Sequence, residues 1–292
     1  MSTQVTTAFV KQFSANVQLL SQQAGSRLRG AVRNEMINGE EAFYEQVGST
    51  TASKKTTRHG DTPLMDTPFA RRRVAAEDYI WADLIDKEDR LRMLIDPQAP
   101  MAQTAGYAFG RAIDDAIIAA ADGTAYTGKT GTTSTAYSTG MDVAVTTGAV
   151  SATGLNVSKL IEAKYNLDRN DVDPSIERYM VVNARQMTNL LNQTEIKSRD
   201  YNAVQALVRG EIDQFMGFKF IRTERIGTDG SGYHKVLYFA RDGLLLATGA
   251  DIKVRVDERS DKNYATQVFL SMTIGATRME EVKVGRVLCS AS

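Results

Sequence analysis

In 292 residues the sequence has one cysteine, Cys289, and two histidines, His59 and His234. A lone cysteine excludes an intrachain disulfide, which fits a reducing compartment. Cys289 has no adjacent basic or histidine residue of the kind that activates a thiol, so it reads as a packed bystander. The histidines stand among basic or turn residues, with no cysteine or carboxylate at metal-ligand spacing. Neither a nucleophile elbow nor a catalytic-cysteine signature occurs. An excess of one charge is also missing: 35 acids balance 35 bases, so no global field draws the chain to DNA or to an anionic membrane. No apolar run approaches the ~20 residues of a membrane span, and the start of the chain has no signal-peptide core. The expectation is a soluble protein made in the cytosol, with no catalytic site, metal or cofactor.

What is present suffices for a core. Hydrophobic residues make up 42% and charged residues 24%, an ordinary globular balance, and the length suits two domains or one with long excursions. One stretch, "GTAYTGKT" at 123–130, matches the phosphate-loop pattern through Gly123, Gly128, Lys129 and Thr130. That loop requires a strand before it and a helix after it. Upstream, however, Met101, Ala105, Ala108, Ala112, Ala116, Ile117 and Ala120 recur at helical steps. Downstream the chain is loop-like: in 123–140, seven Thr and four Gly fill eleven of eighteen places, so the match comes cheaply. Gly123 is expected to end the helix as a left-handed cap.

Along the chain, Phe13, Val17, Leu20, Ala24, Leu28 and Val32 form a helical stripe within 9–33, which docks on its own core or reaches another subunit. Residues 47–74 carry few large apolar side chains and concentrate Lys54, Lys55, Arg58, Arg71, Arg72 and Arg73 against Asp61 and Asp66. So long a stretch without a core of its own is expected to be an extended hairpin that orders against a neighbour, or a solvated loop. Residues 78–97 set Trp81, Leu84, Ile85, Leu91 and Leu94 among charges, and Asp83, Asp86, Glu88 and Asp89 read as a solvated helical face, since the glycine of a calcium loop is missing. Asp96 and Pro97 suit an N-cap and first turn of a long helix reaching about Asp122. A helix over 155–170 stopped by Pro174, a strand at Tyr179–Val182, a helix after Asn183, and strands in "GFKFIRTERI" and "HKVLYFA" follow. Alternation at Ile252, Val254, Val256, then Val268, Leu270, Met272, Ile274, then Val282 and Val284 predicts a closing antiparallel sheet.

The order of these pieces resembles the major capsid proteins of tailed bacteriophages, with the Hong Kong 97-type fold. The likeness rests on "GRAIDDAIIAAADGTA" (110–125), similar to the family's spine helix, and "RYMVVNARQMTNLL", similar to its axial-domain strand and helix. "FMGFKFIRTERI" and the run from "VLYFARDGLLL" to "VGRVL" add to it. The resemblance implies an α+β fold with an N-terminal arm (1–46), an extended loop (47–78), and a peripheral domain (79–150) whose spine helix covers about 98–122. An axial domain (151–250) and peripheral return strands (251–292) complete it. It implies copies of the chain joined as hexamers and pentamers into an icosahedral shell around packaged double-stranded DNA, in the virion, without sequence-specific binding. It also implies a portal protein, a decoration protein in some relatives, and a scaffold, expected here as a separate protein because the arm begins close to Met1. Phe13, Val17, Leu20, Lys54, Lys55, Arg58, Arg71, Arg72 and Arg73 are the expected inter-subunit contacts. Some relatives join a loop lysine to a neighbour's asparagine; no partner for Lys54 or Lys55 is identified by motif, and no crosslink is expected. An encapsulin-type compartment shell shares this fold and is the alternative; a phosphate-loop enzyme is a distant one.

Overall fold

The computed structural model describes residues 22–62, 64–86, 98–193 and 214–290. The chain divides into two compact units, one made of Met1–Ser26, Asp78–Arg111 and Ala250–Met272, the other of Arg27–Glu77, Ala112–Gly249 and Thr273–Ser292. Strands β1 (Arg33–Met36), β2 (Glu41–Val47), β3 (Phe69–Ala75) and β4 (Glu77–Ile85) precede the long helix α1 (Gln98–Asp122). Then come β5 (Ala125–Thr127), β6 (Thr133–Thr135), β7 (Asp142–Val143), α2 (Val157–Arg169), β8 (Arg178–Val182), α3 (Ala184–Leu191), β9 (Gln214–Phe215) and β10 (Phe218–Arg222). The chain closes with β11 (His234–Ala240), β12 (Leu244–Arg259), β13 (Ala265–Arg278) and β14 (Val284–Cys289).

Helix α1 has the bounds that its periodicity predicts. Its deepest stripe is Ala105, Phe109, Ile113, Ile117 and Ala121, one residue at each fourth step. At ~1.5 Å per residue the helix is roughly 37 Å long. Its proposed start at Asp96–Pro97 lies outside the described residues. Its end differs from expectation. The Gly123 N–H still donates to the Ala119 carbonyl at 2.9 Å, and Gly123 is not among the residues with positive φ. A side chain closes the helix instead. The fully buried Arg278 guanidinium donates to the carbonyls of Ala121 (3.0 Å), Gly123 (2.8 Å) and, on β6, Thr135 (3.3 Å). The last carbonyls of a helix lack intrahelical partners and carry its negative dipole end, so a cation there meets both needs.

The second unit is built on a six-stranded sheet ordered β7-β14-β11-β8-β10-β9. Strand β8 is buried along its whole length because it lies between β10, which runs parallel to it, and β11, which runs antiparallel. Leu160, Ala163 and Leu167 of α2, with Met187 and Leu190 of α3, share one core with Met180, Val182, Val236, Tyr238 and Val287 of this sheet. Both helices start on an asparagine whose side chain accepts a backbone N–H in the first turn, Asn156 from Lys159 and Asn183 from Gln186, each at 2.8 Å. Helix α2 ends at Arg169, before Pro174, where Asn170 caps it and Asp171 turns to φ 54°. The other sheets are ordered β1-β12-β13-β4 and β2-β3-β5-β6.

Three expectations are corrected. Residues 22–33 are not helical: a 3-10 turn at Arg29–Ala31 leads into β1. Leu28 and Val32 are buried as the stripe required, but the buried Asp114 carboxylate takes the N–H groups of Arg27 (3.1 Å) and Leu28 (3.0 Å), and Gly25 sits at φ +72°. Residues 77–85 form a strand, not a helical face: Tyr79, Trp81 and Ile85 are its less exposed positions, and its aromatic and β-branched residues favour the pleat. The closing segment does not form one sheet. Strand β14 pairs with β11 antiparallel and with β7 in parallel, so the expected boundary at 250/251 cuts through the six-stranded sheet.

Replacing Arg278 by methionine removes the cap of α1 and takes the guanidinium from the carbonyls of Ala121, Gly123 and Thr135. Urea unfolding of the soluble subunit should show a loss of roughly 3–5 kcal/mol, only partly recovered by Arg278→Lys, whose ammonium cannot fork between two chains.

Candidate assembly interface

Strands β2 and β3 form an antiparallel hairpin in register from Glu41↔Ala75 to Val47↔Phe69. It is closed at its far end by the Gly48 N–H on the Pro68 carbonyl at 2.8 Å. The base of the hairpin explains the arginine triplet. Alternation turns Arg72 and Val74 inward and Arg71 and Arg73 outward. Arg72 is 5% exposed; its Nε donates to the Met279 carbonyl at 2.8 Å and its Nη2 meets both oxygens of Glu281, at 2.7 and 2.6 Å. Arg71 pairs across the ladder with Glu45 at 2.7 Å, and Arg73 pairs with Glu41. Arg71 also lies over Phe43, and Arg73 over Tyr126 on the adjacent β5. All three arginines of the triplet thus have partners within their own chain, and Arg72 is buried there.

The far end is the opposite case. Among the described residues of 48–68 there is no helix or strand, Lys54, Lys55 and Arg58 are exposed, and no carboxylate pairs with them. In the same hairpin Val47, Leu64 (96% exposed), Met65 and Phe69 (72%) are exposed. Phe13, Val17 and Leu20 lie outside the described residues. A second uncovered apolar surface lies in the first unit: Ile80 (73% exposed) and Leu84 on β4, Val254 and Val256 on β12. Sequence reasoning placed Val254 and Val256 on an alternating strand but did not single out Ile80. Its signal was the aromatic and β-branched content of 79–85, masked by the acids.

The phosphate-loop letters fold into something else. Gly123 to Thr130 run from the end of α1 through β5 into the turn that begins β6, an antiparallel hairpin in register Ala125↔Thr135. Gly128 (φ +90°) and Gly131 (φ +66°) shape that turn, and no helix follows it. Lys159 and Cys289 of the second unit are both buried. The Lys159 ammonium is fully buried and donates to the carbonyls of Thr153 (2.7 Å), Gly154 (3.1 Å) and Leu288 (2.9 Å), and burial lowers its pKa. Burial pushes the Cys289 thiol up to about 12, against a smaller opposing pull from Lys159. Among the described residues no group of His, Cys, Asp and Glu could hold a metal ion, and no helix is long and apolar enough to cross a membrane.

The hairpin is thus anchored at its base by Arg72 and exposed at its tip. The chain belongs to the phage capsid protein family, whose model matches residues 5–291. No curated protein matches it by sequence. Solved capsid structures do match by fold. The capsid of cyanophage P-SCSP1u has a TM-score of 0.74 at 17% identity, covering 100% of this chain and 96% of that one. That of Helicobacter pylori bacteriophage KHP30 has 0.75 at 9%, covering 100% and 98%. The capsid of Ralstonia phage GP4 has 0.74 at 12%, covering 97% and 96%. The fold is the α+β, Hong Kong 97-type fold of tailed-phage capsids, and the protein is a structural component of the virion.

Cys289 should resist thiol reagents in the folded protein and react at once on unfolding. Its folded pKa of about 12 lies above the ~8.5 of a free thiol, so it leaves stability unchanged below that lower value. Above it, ionisation favours the unfolded chain, and Cys289 should lower stability as pH rises toward about 12, a contribution that Cys289→Ala removes while that of the buried tyrosines Tyr137, Tyr179 and Tyr238 remains.

Proposed function

We propose that this chain is the major shell subunit of a tailed, double-stranded DNA phage, assembling as hexamers and pentamers into a closed icosahedral particle. The observation that carries the reading is the hairpin tip: Val47, Leu64, Met65 and Phe69 stay exposed beside Lys54, Lys55 and Arg58, on a base fixed by Arg72. A segment that cannot bury itself gains its apolar cover from a copy of the chain, and its ordering is coupled to association. The first unit offers exposed apolar residues, Ile80 and Leu84 on β4 and Val254 and Val256 on β12, and an exposed carboxylate on β4, Asp83. We assign Lys54, Lys55 and Arg58 to contacts with such carboxylates. Phe13, Val17 and Leu20, a stripe expected from the sequence, are assigned the same kind of role.

The resemblance to capsid proteins extends the proposal. Residues 47–78 serve as the extended loop, α1 as the spine helix, and the six-stranded sheet with α2 and α3 as the axial domain. A portal and a separate scaffold direct assembly, and a decoration protein is an optional partner. Net neutrality suits an enclosure for DNA, since a basic lining would hold phosphates and hinder packing.

Joint substitution of Lys54, Lys55 and Arg58 by glutamate should leave the thermal unfolding of the isolated subunit within about 2 °C of wild type, because exposed sites contribute little. Electron microscopy should nevertheless show capsomers or closed particles for wild type and none for the variant. A wild-type chain that stays a monodisperse monomer at every concentration overturns the assignment.

A further inference from the structure

Asn38–Gly39 is the only Asn-Gly dipeptide in the chain, and it sits at the bend between β1 and β2. The segments on either side are pinned. Ile37 donates its N–H to the Thr248 carbonyl at 3.1 Å, and the Glu40 carbonyl accepts from the Ala76 N–H at 2.8 Å. Between those two bonds both residues are exposed, and Gly39 takes φ +110° with open space where a side chain would stand. Among the described residues, neither the Asn38 side chain nor the Gly39 N–H has a hydrogen-bond partner. Asn34, four residues earlier and also exposed, makes the contrast. Its side-chain amide donates to the carbonyls of Arg29 (2.8 Å) and Val32 (3.3 Å), and a bulky glutamate follows it.

We propose that Asn38–Gly39 is a self-modification site, at which the backbone converts without an enzyme to aspartate and isoaspartate. The Gly39 amide nitrogen, losing its proton to solvent base, attacks Cγ of Asn38. A new N–Cγ bond forms, the Cγ–Nδ2 bond breaks, and ammonia leaves, closing a five-membered succinimide. Water then opens the ring at either carbonyl, giving aspartate or the β-linked isomer. A β-branched or bulky successor would hinder the closure; glycine does not, and its freedom at positive φ lets the nitrogen approach. The consequence is local. A new carboxylate appears beside Glu40 and Glu41, and Glu41 already balances Arg73 at the hairpin base. In the β-linked product the main chain gains one carbon at the bend from which β2 leaves. The change accumulates with time and cannot reverse, so it marks the age of a subunit at the root of its hairpin. This inference stands apart from the assembly reading, since it concerns each chain alone.

The test incubates the folded full chain at mildly alkaline pH beside the same chain held in denaturant. Peptide mass spectrometry and isoaspartyl methyltransferase labelling then follow residue 38. The folded chain should lose Asn38 at a rate comparable with that of the denatured chain and faster than any other asparagine, with Asn34 intact, and Asn38→Gln should abolish the signal. Persistence of Asn38 in the folded chain while the denatured chain converts would show that the fold protects the bend and would overturn the proposal. So would an undiminished isoaspartate signal in Asn38→Gln.

Discussion

One carboxylate, Glu281, stands between two buried guanidiniums, and the second unit is organised around that arrangement. Arg72 of β3 meets it at 2.6 Å and Arg278 of β13 at 3.6 Å. Two cations against one anion would be untenable in a dry interior, but the excess charge is solvated by backbone. The carbonyls of Ala121, Gly123, Thr135 and Met279 all point at these guanidiniums, and Tyr137 lies beside Arg278 with its ring centroid 5.5 Å away. Hydrophobic replacements of equal volume could hold the same elements together as strongly. They could not also satisfy the last carbonyls of α1, which need donors wherever they are buried. The ion cluster therefore sets register: it fixes where the helix ends, where β3 passes it, and how β6 lies against both.

That cluster divides the hairpin into two physical regimes. From Glu41 to Val47 and from Phe69 to Ala75 each strand is held by the ladder, by cross-strand ion pairs and by the buried Arg72. Beyond Gly48 and Pro68 none of these supports continues. A Leu or Phe side chain moved from water to a packed contact gains about 1.5–3 kcal/mol, so Leu64 and Phe69 together represent a large unrealised term beside a total domain stability of roughly 5–15 kcal/mol. A stiff base with an unsatisfied tip gives direction without self-sufficiency, which is what a subunit needs when its contacts must form only with copies of itself.

Much of this was readable from pattern. The bounds of α1, the Asn183 switch from β8 into α3, and the strands β10 and β11 follow from period and capping chemistry alone, because each is decided by neighbours in sequence. Two of the misreadings share one cause: a distant residue outvoted the local signal. Residues 22–33 have a fair helical stripe, yet Asp114 claims the N–H groups of Arg27 and Leu28 from more than eighty positions away. Gly110 of α1 belongs to the same event, since a Cβ there would fall 2.3 Å from the backbone of Gly25. The triplet Arg71–Arg73 looked like one basic patch; the pleat sends its middle member inward, and only Glu281, remote in sequence, shows where it goes. Of the proposed assembly surface, the loop bases were visible as composition. The apolar face at Ile80 and Val254 was not, because exposure of a strand face depends on what the rest of the chain leaves uncovered.

Two kinds of sequence match were available, and the structure separates them. Gly123, Gly128, Lys129 and Thr130 satisfied a four-letter pattern inside a tract so rich in threonine and glycine that the letters carried little information. The chain there turns back on itself as β5 and β6. The capsid likeness matched no fixed letters, only an order: helical N-terminal arm, basic excursion, long helix, mixed α/β region, closing antiparallel sheet. Each member of that order has its own physical cause, whether periodicity, an asparagine cap or alternation, so the agreements are close to independent and their joint weight grows with each one. Side chains that merely satisfy a pattern can be exchanged freely while the pattern stands. A fold held this way keeps its shape through sequence change that erases any short motif, and it is recognised by the arrangement of its constraints.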